Sequence, residues 1–580
     1  MNDEVPKGAR CEPHGLAYDP TVHPGCVLCR REQAEAEQQQ AKPPSRKPVV
    51  IVLSVSALVL ALFGVGAYGY LVRQQAAIEA DGPSEPEVDP VVTALPGVPD
   101  HRGTIMLGRK GTDEYGYPND LPDKLTLQSL LREKRFEELS SHIESFQAVF
   151  EQDFKKEKWL SVGIEAFDTA DRQIGKLIDQ WVKATPDSFA PYLARAEHKA
   201  ALAWHYRGTN WARLTSSKRF AKMRKILVPA LSDLERALEL RPNLTEARST
   251  QLDIVKGLGA DLATKAEIME AGLRHCPYCF GIRAMYLQAI EPRWGGSYEL
   301  MDRKAADWQF TEQNPRLREL MGFSDVDRCS LLVSEKEPEQ ALSYCDRALA
   351  HGKYVTFLST KAAAMVRLER YDEAIELFSQ ALEILPQRVR SLNGRGHALM
   401  EAERYEEATR DLVLATRLDA VNAQAGNNLH HILAKLVRMA YYQAEAGEVE
   451  AAIATYDRVL AMHPRYSDAF SYRGHAYDKK GDLAQAEKDY LRAIELDPTN
   501  VDTYRGLDHV LFKQNRLDDI IRHWNRYLKR RPRDATALLE RGGAYYRQGE
   551  RELAKRDVTK ACRLGNEEAC DTVRRFYPSP

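Results

Sequence analysis

This 580-residue chain is short of net charge, sulfur and recognisable catalytic motifs. Its 82 basic and 84 acidic side chains leave a formal charge of -2. There is thus no overall field to recruit nucleic acid or an anionic membrane. It contains no nucleophile elbow, no His-Glu-x-x-His and no phosphate-binding P-loop. That removes the motif-borne hydrolases and nucleotide enzymes, although carboxylate chemistry leaves no such trace. Cysteine numbers only nine, and its distribution is uneven: Cys11, Cys26 and Cys29 precede residue 48, and six more follow residue 270. Long apolar runs are equally scarce. The exception is Val49 to Val72, 24 residues without a charge, enough to cross ~30 Å of hydrocarbon at ~1.5 Å per residue.

Basic residues crowd one side of that run. Arg30, Arg31, Lys42, Arg46 and Lys47 precede it, whereas Arg73 is followed by Glu79, Asp81, Glu85, Glu87 and Asp89. The bias predicts a single-pass inner-membrane protein, N-terminus cytoplasmic and C-terminal part exported. Gly64, Gly66 and Gly69 match G-x-G-x-x-G, but no strand precedes them. They read as small residues of a membrane helix.

Beyond the run the pattern is helical, with apolar residues at three- and four-residue intervals and no strand-like alternation. Pro464, Pro498 and Pro532 fall 34 residues apart. Numbering one unit from Ser467 puts Gly474 at 8, Tyr477 at 11, Ala486 at 20, Tyr490 at 24, Ala493 at 27 and Pro498 at 32. Small residues at 8, 20 and 27 let two antiparallel helices approach, and the aromatics fill the remaining space. This resembles the tetratricopeptide repeat, which implies an all-α solenoid with a peptide- or protein-binding groove. Further units close at Pro386 and Ala420. The unit ending at Pro464 arrives 44 residues after that and predicts an insertion, NAQAGNNLHH, ahead of its first helix. In this repeat family positions 2, 5, 9, 12 and 13 line the groove. Position 9 is His397, Tyr441, His475 and His509 in four successive units, which implies a ladder of donors and rings along an extended peptide.

Six of seven tryptophans lie between residues 150 and 310. The DEYGYPNDL, AWHYRGTNWA and EPRWGGSYELM stretches resemble a bacterial helical domain of unknown function that often accompanies such repeats. The expected organisation is residues 1–47 a cytoplasmic zinc knuckle and linker, 48–73 a transmembrane helix and 74–111 an acidic proline-rich linker. Residues 112–325 form the Trp-rich helical domain, and 326–580 the repeat array with a capping helix.

The zinc expectation rests on Cys11, His14, Cys26 and Cys29, a C-x2-H-x11-C-x2-C array resembling a zinc ribbon. Two close pairs suit a tetrahedral ion, and metal would supply folding energy to a peptide too small for its own core. His23 is a substitute ligand. The six later cysteines suit an oxidising compartment. Cys329 with Cys345 and Cys562 with Cys570 are plausible clasps, and Cys276-x-x-Cys279 reads as a local disulfide or buried thiols.

Three functions are ranked on this basis. The first is a non-enzymatic membrane-tethered scaffold binding a protein or peptide, without nucleic acid. The second is an enzyme with an unrecognised site in the Trp-rich domain. The third is a transmembrane regulator whose knuckle touches DNA, disfavoured by its few basic residues.

Overall fold

The computed structural model describes residues 105–208, 214–308 and 312–577, together with the backbone of two short strands near the N-terminus. Those strands, β1 (Ala9–Arg10) and β2 (Ala17–Tyr18), pair antiparallel with Ala9 opposite Tyr18. Cys11 and His14 fall between them in sequence, but the side chains of the zinc array lie outside the described residues. So does the Val49–Val72 run. Among the described residues no helix is long and apolar enough to cross a membrane. The chain divides into two units, residues 1–94 and 95–580, and every helix among the described residues belongs to the second.

The first described residues of that unit form a loop rather than a helix. Met106 bridges to Pro122 and Thr112 to Pro118, so residues 105–111, linker by composition, pair with the segment after them. Asp113 fixes the bend, its Oδ1 accepting from the amides of Tyr115 at 3.0 Å and Tyr117 at 2.8 Å.

The Trp-rich part is helical throughout: α1 (Lys124–Arg132), α2 (Phe136–Gln152), α3 (Glu157–Ile164), α4 (Arg172–Ala184), α5 (Ala190–Arg207), α6 (Ser217–Leu240), α7 (Thr245–Leu258), α8 (Leu262–Leu273), α9 (Gly281–Ala289) and α10 (Tyr298–Trp308). Helices α1, α4 and α8 start on aspartate caps, Asp123, Asp171 and Asp261, each accepting from an amide of the first turn. Arg207-Gly208 and the PRWGG stretch serve chain geometry. Gly208 closes α5 at φ 77°, and a Cβ on Gly296 would sit 1.8 Å from the Ile290 carbonyl oxygen.

Seven antiparallel helix pairs come next: α11 (Phe323–Ser334) with α12 (Pro338–Ala350), α13 (Val355–Arg367) with α14 (Tyr371–Ile384), α15 (Val389–Glu401) with α16 (Tyr405–Leu418), α17 (Ala423–Glu445) with α18 (Val449–Met462), α19 (Ser467–Lys480) with α20 (Leu483–Leu496), α21 (Val501–Lys513) with α22 (Leu517–Arg530), and α23 (Ala535–Gln548) with α24 (Arg551–Arg563). Helix α25 (Glu567–Phe576) closes the stack. The first pair begins at Phe323, within the stretch assigned by sequence to the Trp-rich domain.

Period-34 small residues do the packing. Ala486 and Ala493 are buried, and a Cβ on Gly474 would lie 3.2 Å from the Ala486 carbonyl oxygen and 3.3 Å from the Tyr490 ring. The 44-residue spacing is resolved inside a helix rather than before it. Helix α17 runs 23 residues against 13 or 14 in its neighbours. The inserted stretch contains no proline, Asn422 caps its start, and Leu429, Ile432 and Leu433 extend the apolar face into the core.

Three disulfides stand in the folded unit. They join Cys276 to Cys279, Cys329 to Cys345 across α11 and α12, and Cys562 to Cys570 between α24 and the closing helix.

Contacts far apart in sequence seat the Trp-rich part on the repeats. Gln387 donates to Asp123 Oδ1 at 2.6 Å and accepts the Lys124 amide at 2.8 Å. Gln128 donates to the Leu418 carbonyl at 2.9 Å, and Thr169 to Asp419 at 2.7 Å. Helix α1 is thereby fixed to the ends of the second and third pairs.

Candidate peptide groove

Helices α17, α19, α21 and α23 present one row of side chains, because each supplies the first helix of its pair in the same register. Tyr441 lies nearly parallel to the His475 ring at 6.2 Å and edge-on to Tyr472 at 5.6 Å. His475 Nε2 meets Glu445 Oε1 at 3.2 Å, and Lys479 Nζ reaches the same oxygen at 2.9 Å. Hydrogen bonds from Lys479 first, and then from His475, hold the Glu445 carboxyl below the usual carboxylate range. One pair further on, the arrangement recurs. Asp478 takes His509 Nδ1 at 2.6 Å and Lys513 Nζ at 2.8 Å. Phe512 then stands half-exposed beneath the Arg547 guanidinium at 4.6 Å.

The expected ladder is therefore partly assembled. Tyr441 and His475 touch, and His475 and His509 occupy equivalent places bound to a carboxylate one unit back. His397 stands apart, 3.8 Å from Glu401 on its own helix. Sequence reasoning missed the acids Glu445 and Asp478 that hold the histidines, the lysines Lys479 and Lys513, and the exposed rings Tyr472 and Phe512. All of these except Tyr472 occupy positions 12 and 13, which the repeat already marks as groove-lining. Tyr472 carries no such signal.

Clustered acids and histidine facing one cavity near Trp204, Trp211 and Trp294 would support the alternative, enzymatic site. Trp211 lies outside the described residues. Trp204 donates to Asp253 at 2.9 Å and packs edge-on to Trp294 at 5.8 Å, while Lys265 donates to the Trp294 carbonyl at 2.6 Å. These tryptophans are structural partners. A cavity of about 190 Å³ does open in this part of the molecule, but against the second repeat, with Glu157, Glu165 and Glu246 among its walls. No group of three His, Cys, Asp or Glu able to hold a metal occurs among the described residues.

The fold and the groove define an α-solenoid repeat protein. Tetratricopeptide repeat models match residues 359–423, 436–466, 467–500 and 509–558, and a model described as a domain of unknown function (DUF4034) matches residues 124–261. The chain thus contains tetratricopeptide repeats preceded by that helical domain. It is 25% identical over 202 residues to the Hsp70-Hsp90 organizing protein of Triticum aestivum, covering 35% of this chain and 33% of that protein. It is 27% identical over 142 residues to the human mitochondrial import receptor subunit TOM70, covering 24% and 22%. The human protein O-mannosyl-transferase TMTC3 is 24% identical over 224 residues, 37% of this chain and 24% of that protein. The chain spans about a third or less of the length of these relatives. Among solved structures, YrrB, a TPR protein with an unusual peptide-binding site, is 23% identical, with 31% of this chain and 89% of that one covered at a TM-score of 0.21. The P58(IPK) TPR domain is 14% identical, with 73% and 98% covered at a TM-score of 0.20. Superpositions at that level define neither shape nor site.

Proposed function

We propose that this chain is a membrane-anchored scaffold whose exported solenoid holds an extended protein or peptide segment along α17 to α23. The observation that carries the reading is the repeated unit of carboxylate, histidine and lysine at Glu445, His475 and Lys479, then Asp478, His509 and Lys513. Exposed rings, Tyr472 and Phe512, stand beside it. Alternating polar pairs and aromatic faces suit a bound backbone and its side chains better than they suit catalysis. The organizing proteins and TOM70, whose names describe assembly and import, are consistent with such a role. The Val49–Val72 run supplies the anchor, with the N-terminus in the cytoplasm. A structural zinc on Cys11, His14, Cys26 and Cys29 is assigned to the N-terminal peptide, and the β1–β2 pairing that frames the first ligand pair supports it. The enzyme reading ranks second, with the acid-lined cavity as its foothold.

Capture of partners by the exported part, followed by mass spectrometry, tests the scaffold. Replacing both His475 and His509 with Ala should weaken capture and leave thermal stability nearly unchanged, because Lys479 and Lys513 still neutralise Glu445 and Asp478. Undiminished capture would move the partner to another surface.

A further inference from the structure

The cavity between the Trp-rich part and the second repeat holds one acid without a partner. Glu157 accepts the Phe280 and Gly281 amides at 3.1 and 3.0 Å, and Glu165 holds Lys124 Nζ at 2.6 Å. The two bases in its walls are also engaged: Arg316 pairs with Glu319 at 3.2 Å, and Lys158 lies 3.9 Å from Asp113. Glu246 has neither hydrogen bond nor ion pair among the described residues. Beside it at the start of α7, Thr245 is 6% exposed, lines the same cavity, and its Oγ1 has no hydrogen-bond partner. A buried hydroxyl left unpaired costs free energy that a ligand can recover.

The surroundings select the ligand's charge and size. Glu197, interacting electrostatically with Asp168, Glu246 and Asp253, adds to the carboxyl groups of this region. Burial first, then repulsion from neighbouring carboxylates that include Asp253, raises the proton affinity of Asp168 and Glu197, so this carboxyl-rich region disfavours an anion and gains from an incoming cation. The donors are too dispersed for a metal ion, and much of the remaining wall is apolar. A volume of about 190 Å³ compares with the roughly 150 Å³ that accommodates benzene, which limits the occupant to a handful of heavy atoms.

We infer that this cavity binds a primary alkylammonium group about the size of a lysine side chain, with its charge on Glu246, an N–H donated to Thr245 Oγ1, and its stem against Phe150 and Met285. The site is distinct from the groove and does not depend on it.

A proton balance accompanies the binding. Burial first, then the facing carboxylates Glu165 and Glu157, push Glu246 up to about 8. Glu197, Lys158 and Arg316 also face this region. Near pH 7 Glu246 is therefore mostly protonated in the free protein. An ammonium ion favours the carboxylate, so one cation enters and up to one proton leaves to solvent.

The test is calorimetric titration of the full chain at pH 7 with 1,4-diaminobutane and, separately, with N-acetyl-lysine amide, n-butanol serving as the neutral control. Each is measured in two buffers of different ionisation enthalpy. One saturable equivalent of amine with a buffer-dependent heat showing proton release is expected. Tighter diaminobutane would mark a free diamine as the source, and tighter lysine amide a protein side chain. Glu246→Gln, which mimics the protonated acid and keeps the fold, should weaken binding more than about tenfold. Thr245→Val, of matched volume, should weaken it several-fold. The inference is overturned by no saturable uptake of either amine up to about 10 mM, by butanol binding equally well, or by unchanged affinity in both variants.

Discussion

Arg473 grips Asp489 through two parallel bonds, Nε to Oδ2 at 2.7 Å and Nη2 to Oδ1 at 2.8 Å, while its Nη1 reaches Asp457 of the preceding pair at 2.5 Å. The same fork joins Arg395 to Asp411 and Ser379, and Arg541 to Asp557 and Asn525. Arg195 of the Trp-rich part binds Asp233 and Asp179 likewise. In each case an arginine on one helix ties the helix after it to the helix before it. The recurrence in α5 shows that the Trp-rich part is built on the same stapled helix pairs as the repeats.

Removing one staple should be costly. Arg473→Ala leaves Asp489, whose side chain is 4% exposed, without its cation. Breaking a buried pair from one side costs roughly 3–5 kcal/mol, and the 18% exposure of Arg473 puts the expected loss at the lower end. Hydrogen exchange of the α19 and α20 amides should accelerate locally. The Arg473→Ala/Asp489→Ala double variant should recover part of the loss, since no buried charge is then stranded.

Two glycines facing the same ring should differ. A Cβ on Gly506 would lie 2.5 Å from the Tyr490 ring, whereas one on Gly474 finds nothing nearer than 3.2 Å. Gly506→Ala is therefore expected to lower the melting temperature more than Gly474→Ala. Gly474→Leu should cost about 1–3 kcal/mol of overpacking. Equal effects of the two alanines would show that Tyr490 swings away freely.

Asp508 occupies position 8, where its neighbours carry Gly474 and Gly542. Trp524 Nε1 donates to its Oδ2 at 2.5 Å, while Oδ1 is buried without a partner. Burial above all pushes this carboxyl up to about 8 from an ordinary value of 3.8. Between those two values the folded state holds a proton that the unfolded state has released, so this group lowers stability as pH rises. Asp508→Asn should raise the melting temperature, and its advantage over the parent should widen from pH 5 to pH 8. A gap independent of pH would refute the assignment.

Metal removal tests the N-terminal peptide. The full chain should carry one equivalent of zinc by elemental analysis and lose it to a chelator. Cys26→Ser/Cys29→Ser should abolish it, because a four-ligand site cannot close on one pair. Unchanged metal content in that variant would assign the zinc elsewhere.

A reporter enzyme active only outside the cytoplasm should work when fused after Pro580 and fail when fused before Met1. The converse would reverse the proposed topology.

Much of the fold is written locally in the chain. Gly474, Ala486 and Ala493 recur at fixed offsets because two helices can touch closely only where side chains are small. That steric demand lies within one 34-residue unit, so a single unit reveals it. The groove face of each first helix is set by the same period. What joins one unit to another depends on three-dimensional approach. His475 and His509 each find a carboxylate 30 or 31 residues earlier, Gln387 meets Asp123 across 264 residues, and the inserted stretch becomes helix because its apolar residues find a core to cover. The unpaired Glu246 belongs to that second kind. A glutamate in the first turn of a helix is ordinary in sequence, and only the closure of the Trp-rich part on the second repeat surrounds it with protein and denies it a cation.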